Sequence, residues 1–512
     1  MKKILKSCLL VLVAICVSVS FVGCKKKLSP TTVNTDNVKY SNGVTTNGGM
    51  TVVYGDYLYF INGTKDNDGK SLKKNTRSAI CRVKYDMTTG KTTGDMEVVV
   101  KDLVGFSDAS LHIFGDFLYY ATPCSGENSN GEVLFNKTTF KRYDLVNKKS
   151  YSLYTTELNS SSEVVNYAYY VAGETLNLLV YEKSMGTIKS FKIDKKVVMN
   201  YEITEVTGCL FSENYGKVTR AGANVDANVF VYYTKAPGAQ DAVQSGVKVY
   251  KTSPVTNNSI EISTGREIAL VTIRAGKLVY SSGEFVYADD ITSEAQTLRV
   301  DNRNCISRAT LTNAIYLENY SLVDDPSDPN NPSKKQLVKK EGSISVFALT
   351  KATESSHYFN IFEWTSESQE PEDNCAIIEN VSSAKDFSFI GLSMLEEIVT
   401  EADEDKGIEE EKRKVLYAFF MESSLIYKIE VAEVIDEAEG KLSVSATQKI
   451  QLTATKPNAN DGLLIPEIIG NYMFFLSEDS DKNDYLYKID VTPTENKTDK
   501  ADKFALEEKT KK

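Results

Sequence analysis

Histidine and tryptophan are almost missing from this chain: His112, His357 and Trp364 are all that 512 residues supply. A histidine-based zinc site or a set of histidine-centred triads therefore has almost no material to work with. The lone tryptophan follows Glu363, so no Trp-Asp dipeptide exists and WD repeats are a poor match. Disulfide spacing is missing too. After Cys24 come Cys81, Cys124, Cys209, Cys305 and Cys375, an odd and widely spaced set without a CxxC, which is not a disulfide framework. The expectation is small apolar side chains buried in strands. An excess of basic charge is lacking as well: 59 Lys+Arg stand against 70 Asp+Glu, a net charge of -11, and that sign disfavours a nucleic-acid partner. Nor does the chain alternate strand and helix patterns, which weakens a bilobal solute-binding fold.

What is present begins with order of parts. Lys2, Lys3 and Lys6 precede an apolar run from Leu9 to Val22, which ends at Gly23-Cys24. The run is shorter than the roughly 20 residues a bilayer core needs. The segment resembles a bacterial lipoprotein signal peptide. That resemblance makes Phe21-Val22-Gly23-Cys24 the lipobox, places cleavage before Cys24, and implies a diacylglyceryl group and usually an amine-linked acyl chain on Cys24. Two or three acyl chains anchor stably, and Lys25-Lys26-Lys27 would sit where anionic headgroups attract it. Loss of residues 1–23 leaves 56 basic and 70 acidic residues, a balance of -14. From Leu28 to Gly49 the chain is Thr, Asn, Ser and Gly with few apolar residues, too few to fold alone. Residues 24–48 therefore read as lipidated cysteine plus tether, and 49–512 as the folded body.

The body repeats one phrase. Val52-Val53-Tyr54-Gly55-Asp56-Tyr57-Leu58-Tyr59-Phe60-Ile61 returns at Gly115-Asp116-Phe117-Leu118-Tyr119-Tyr120 and at Gly470-Asn471-Tyr472-Met473-Phe474-Phe475. Each copy is a hairpin across a tight turn. A second phrase follows, an apolar-aromatic-basic-apolar strand often ending in an acid: Ile80-Cys81-Arg82-Val83-Lys84-Tyr85-Asp86, Ile426-Tyr427-Lys428-Ile429-Glu430 and Leu486-Tyr487-Lys488-Ile489-Asp490. Weaker copies start near Phe140, Ile188, Val249, Ile306 and Ile361, which gives eight units averaging 58 residues. The first unit predicts four strands, Thr51 to Tyr54, Tyr57 to Asn62, Ala79 to Tyr85 and Glu97 to Lys101. A four-stranded meander repeated eight times is economically arranged as a ring of blades with short protected edges. The fold expected is all-β, a β-propeller of eight four-stranded blades, with seven as the alternative. The last unit shows only a feeble fourth strand, Phe504-Ala505-Leu506. Either it or a strand from Val33–Tyr40 must complete the final sheet.

At these residues the chain resembles a group of bacterial surface lipoproteins whose propeller blades carry repeated Gly-Asp-aromatic-aliphatic-Tyr-Tyr/Phe hairpins followed by a Tyr-Lys-Ile strand. The resemblance spans the mature chain and is sharp at the first, second and last units. It implies a fold and an extracytoplasmic, lipid-anchored location, and no activity.

Function is sought in the insertions. Most turns between a unit's first and second strands take two or three residues, but three swell, to about Ser212–Asp226, Val323–Gly342 and Thr400–Lys412. Homologous turns open onto one face of a ring, and long loops on a rigid scaffold are where binding residues gather. The sixth-unit insertion carries Asp324, Asp325 and Asp328, and the seventh carries Glu401, Asp403, Glu404 and Asp405. These acids are the candidate partner-binding residues; solvated charged tips that protect sheet edges are the competing reading. Asp66-Asn67-Asp68-Gly69 opens like a calcium loop but has Arg77 where the twelfth-position Glu belongs. Asp479-Ser480-Asp481-Lys482-Asn483-Asp484 fails similarly, so no metal or cofactor is expected. The reading that results is a binding or scaffold lipoprotein for an envelope protein or polysaccharide; the alternative is a polysaccharide-active propeller enzyme using a carboxylate pair.

The anchor is directly testable. Cys24→Ala should leave a folded protein that no longer sediments with membranes and no longer incorporates palmitate, because attachment would reside in the acyl chains. Persistence in a detergent-only membrane fraction would identify the apolar run as an uncleaved span.

Overall fold

The repeat signature is a set of fittings that make and join sheets. In the computed structural model Gly55, Gly115 and Gly470 have φ of 59°, 56° and 59°, while the Asp or Asn that follows stays at negative φ. That is the geometry of a two-residue hairpin turn with glycine first, whose twist suits the flanking strands. The carbonyls of Asp56, Asp116 and Asn471 then each accept a 2.9 Å hydrogen bond, from the N–H of Tyr85, Leu145 and Val491. Acids that close the third strand turn the chain: Asp86 Oδ1 accepts from Thr88 N at 2.8 Å, Asp144 Oδ1 from Val146 N at 3.0 Å, and Asp490 Oδ1 from Thr492 N at 2.8 Å. These are Asx turns.

The basic residue has an equally definite place. Arg82 lies 4.6 Å from the Tyr57 ring centroid, Arg142 4.3 Å from Phe117, Lys428 4.0 Å from Tyr417 and Lys488 5.0 Å from Tyr472. In all four the cation stands opposite the next aromatic along, Tyr59, Tyr119, Phe419 and Phe474, and reaches diagonally to the stacked ring. Arg142 and Lys428 are fully buried. A cation on an aromatic face offsets part of the cost of that burial, about 2 kcal/mol when desolvated.

The structure describes residues 48–64, 76–104, 110–156, 165–172, 175–211, 219–220, 223–224, 231–235, 247–265, 268–274, 277–282, 285–290, 298–301, 311–324, 335–353, 356–364, 375–382, 388–400, 411–430, 434–436, 441–445, 448–458, 466–480 and 484–506. They form strands and no helix. Seven four-stranded sheets and one six-stranded sheet follow in chain order. Sheet 1 is Thr51–Tyr54, Tyr57–Ile61, Ile80–Tyr85 and Thr92–Val100, close to the four strands expected. Sheet 2 runs from His112–Phe114 to Lys149–Thr155, sheet 3 from Val165–Ala172 to Val197–Ile203, and sheet 4 from Val206–Phe211 to Ile260–Gly265. Sheet 5 starts at Ile268–Arg274, sheet 6 at Leu311–Asp324, sheet 7 at Ser388–Thr400 and sheet 8 at Glu467–Ile469. Sheet 6 gains two strands from sheet 7, because Lys441–Ser445, in the connection before that sheet's last strand, pairs in parallel with Cys375–Ser382.

Packing joins the sheets into a ring. One apolar cluster combines Val52, Leu58 and Val83 of sheet 1 with Ile113 and Leu118 of sheet 2 and with Phe474 and Leu486 of sheet 8. Further clusters join sheets 2 and 3 through Phe140 and Tyr169, sheets 3 and 4 through Leu179 and Val231, and sheets 7 and 8 through Phe419 and Phe475. From sheet 4 to sheet 7 the first strands lie beside one another in turn. The architecture is an all-β propeller.

Two expectations change. The weak repeat copy at Ile306 is not a third strand; that role in sheet 5 belongs to Phe285–Asp290, and the sheet has finished by Asp301. An irregular unit with no Gly-Asp turn gave the period nothing to hold. The C-terminal side does complete sheet 8, but through Asp502–Lys503, paired with Lys488 and Tyr487. Phe504 is instead a core residue, 5.1 Å from Phe60 and 5.2 Å from Phe474 between ring centroids. Val33–Tyr40 lies outside the described residues. Truncating Phe504 to Ala should therefore destabilise the ring at its closing seam by about 3–5 kcal/mol, read as a lower denaturation midpoint. An unchanged midpoint would remove the C-terminal segment from closure.

Candidate functional site

The connections between first and second strands divide sharply in length. Two residues suffice in sheets 1, 2, 3, 5 and 8, whereas residues 212–230, 325–334 and 401–410 intervene in sheets 4, 6 and 7. The positions read as loops are partly strands. Val323 and Asp324 pair with Gln336 and Lys335, and the sheet-6 ribbon keeps its register from Tyr320↔Lys339 outward. Sheet 7 continues to Thr400↔Glu411, and in sheet 4 a small hairpin, Thr219–Arg220 with Ala223–Asn224, stands within the connection. Strand continuation of this kind follows from β-branched and paired residues flanking the tips, which the acidic composition had masked.

Of the candidate binding residues, Asp324 ends the strand Leu311–Asp324 opposite Lys335. Asp325, Asp328, Glu401, Asp403, Glu404 and Asp405 lie outside the described residues, as do Cys24 and Asp66–Gly69. The register also brings in basic residues that the sequence reading passed over: Glu396 stands opposite Lys414 and Glu397 opposite Arg413. The stems of the two acidic insertions are thus lined with paired positions of opposite charge, and the acids at their tips stand beyond them.

At the opposite side of the ring, where each first strand begins, the described residues hold two buried polar clusters. Glu467 opens sheet 8 and is wholly enclosed. Its carboxylate accepts hydrogen bonds from Met50 N at 2.5 Å, Thr51 N at 3.0 Å and Thr51 Oγ1 at 2.7 Å. Gly49 makes room for it, since an added Cβ would stand 1.5 Å from Oε1. Burial pushes the Glu467 carboxyl up to about 7, against the pull of those three donors. The second cluster lies between sheets 2 and 3. Ser110 Oγ is 2.9 Å from His112 Nε2 and donates to Tyr167 OH at 2.8 Å, and Ser110 N donates to the same hydroxyl at 3.1 Å.

A serine beside a histidine invites a catalytic reading, which the surroundings oppose. Ser110 and His112 are each 2% exposed, and burial lowers the imidazole to about 3. A general base needs a pKa near the working pH, so this histidine is a poor proton acceptor at neutral pH and the pair serves the seam. The other acidic motif is engaged structurally: Asp484 accepts from Thr64 and, at 2.5 Å, from Asn458 Nδ2, while Asp479 pairs with Lys503 at 3.3 Å. No group of three or more His, Cys, Asp or Glu suited to a metal occurs among the described residues. Cys81 is a buried free thiol pushed up to about 12, and Cys209 is likewise unreactive by burial.

No family model matches the sequence, and no curated protein matches it. Among solved structures the chain is similar to Hsv2 of Kluyveromyces lactis, at 10% identity over 82% of this chain and 99% of that one, with a TM-score of 0.36. It is also similar to an oligogalacturonate lyase in complex with manganese, at 9% identity over 82% and 95% with a TM-score of 0.34, and to dipeptidyl peptidase 4 of Porphyromonas gingivalis, at 8% over 72% and 50% with a TM-score of 0.34. Likenesses this remote carry no functional argument.

Glu467 makes a pH prediction. Its folded pKa lies above the unfolded value of 4.5, so its contribution to stability is full below pH 4.5 and is lost as pH rises through 7. The difference of roughly 2.5 units corresponds to about 3 kcal/mol. The stability advantage of wild type over Glu467→Gln should shrink by that amount between pH 4.5 and 8 in denaturant titrations. A difference that does not move with pH would contradict the assignment.

Proposed function

We propose that the eight sheets are eight blades of one ring and that the protein is a lipid-anchored, extracytoplasmic binding or scaffold module whose partner docks on the face bearing the long hairpins. One observation carries the reading. The innermost strand of sheet 1 begins at Thr51, beside the end of the tether, and runs to the Gly55-Asp56 turn on the other side. The long hairpins of sheets 4, 6 and 7 open on that far side too, so a tether fixed to a membrane through Cys24 would present them outward. At roughly 5–6 Å times the square root of its length, a tether of some 22 residues holds the body a few nanometres from the bilayer.

Asp324, Asp325 and Asp328 on one hairpin and Glu401, Asp403, Glu404 and Asp405 on the next supply a local negative potential suited to a basic or cation-bearing envelope protein or polysaccharide. Rigid stems favour such a role, because ordering is already complete before the partner arrives.

The test exploits the register. Replacing 325–334 and 401–410 each by Gly-Asp joins strands that already face one another at Asp324↔Lys335 and Thr400↔Glu411. Melting should be unchanged, and recovery of envelope components on the protein at low salt should fall at least tenfold. Undiminished recovery would overturn the face assignment, and turnover of a cell-wall polysaccharide by wild type would overturn the non-enzymatic reading.

A further inference from the structure

Sheet 3 has an outer edge that its own fold leaves open. Its last strand, Val197–Ile203, pairs only with Thr187–Ile193 among the described residues. Val198 and Met199, adjacent on this strand, are 42% and 53% exposed. Neighbouring strand residues point to opposite faces of a sheet, so both faces of the edge reach solvent. The strand carries no proline, and its lysines stand at the turn before it rather than along it. Natural edges are usually blunted by such devices.

The patch is larger than one strand. Asn200 Nδ2 donates to the carbonyl of Pro254 at 3.3 Å, and Ser190 Oγ donates to the same oxygen, which brings the sheet-4 turn against this edge. Val255, next in sequence, is 40% exposed, and Ile260 beyond it is 50% exposed. Four of the six large apolar side chains exposed among the described residues thus belong to the adjoining rims of sheets 3 and 4. Contiguous exposed apolar surface marks an interaction site.

The charges bordering the strand select its partner. Lys195-Lys196 precede it and Glu202 lies near its end, all exposed. Antiparallel pairing of this strand with itself about a two-fold axis at Met199 sets Val198 opposite Asn200, Val197 opposite Tyr201, and Lys196 opposite Glu202 of the second copy. Every pair then occurs twice, as an isologous contact requires, and the two ion pairs flank an apolar centre. Glu202 also lies 3.7 Å from Lys189 of the next strand, yet its side chain remains 42% exposed and open to a second cation. We propose that the Val197–Ile203 edge is a self-association surface through which two copies of this chain join by strand addition.

The full chain in membranes and in detergent provides the test. Met199→Cys should give a covalent dimer under copper-phenanthroline oxidation, at least tenfold above Val146→Cys, a control 68% exposed on sheet 2. Lys196→Glu and Glu202→Lys should each reduce dimer recovered by sedimentation at least tenfold, and the double exchange should restore it. All the positions are exposed, and unchanged melting confirms folding. Equal cross-linking of Met199→Cys and Val146→Cys would overturn the surface, and failure of the double exchange to restore dimer would overturn the two-fold register.

Discussion

Covering both faces of every sheet is the constraint on which the rest of this structure depends. A four-stranded antiparallel sheet rich in Tyr, Phe, Val and Ile on both sides cannot stand alone in water, so each must be covered twice, and only closure covers the first and the last. The seam between sheets 8 and 1 therefore collects unusual fittings. Glu467 binds the backbone at Met50 and Thr51, Lys488 Nζ donates to Gly90 O at 2.6 Å, and Tyr472 OH donates to Thr89 O at 2.8 Å. Asn62 and Leu506 exchange two bonds across the ends of the chain. The 7-to-8 seam repeats the lysine clasp with Lys428 Nζ and Thr492 O. A repeated residue does two jobs here: it stacks within its own sheet and caps a turn of the next.

That double use explains how much could be read from sequence. The Gly-Asp turn and the aromatic-basic-apolar strand were visible because the seams of sheets 1, 2, 7 and 8 require them at fixed places. Gly90 shows how strict the requirement is. Its φ is +63°, and an added Cβ would lie 2.1 Å from the Tyr472 ring. Sheet 5 joins its first two strands through Ala275-Gly276 and has no such fittings, so its pattern could not be phased and a strand was expected at Ile306. Parallel addition of Lys441–Ser445 to sheet 6 leaves no local mark in either segment, because register between distant strands is set by packing.

The candidate site was legible only as length. Insertions at 212–230, 325–334 and 401–410 interrupt a regular turn, and a regular turn is what sequence shows best. Charge then drew the eye to acids, whereas the register adds Lys335, Arg413 and Lys414 to the stems. The Ser110–His112–Tyr167 cluster and the Glu467 clasp could not be anticipated, since each joins residues of two sheets. His112 looked merely rare, and its meaning comes from enclosure.

Sheet twist decides whether a rim contact and a membrane tether are compatible. Successive strands rotate by about 20–25°, so three steps turn the outermost strand of a sheet by roughly 60–75° from the innermost. The inner strand of sheet 1 runs from the tether side to the hairpin side; an outer strand such as Val197–Ile203 consequently lies more across the ring than along it. The two-fold axis of antiparallel strand addition stands normal to the local sheet, and at that rim the normal approaches the ring axis. Two copies joined there would keep their tether sides facing the same way. Both could be anchored in one membrane, where confinement to a plane raises their effective concentration, and both would hold their long hairpins outward.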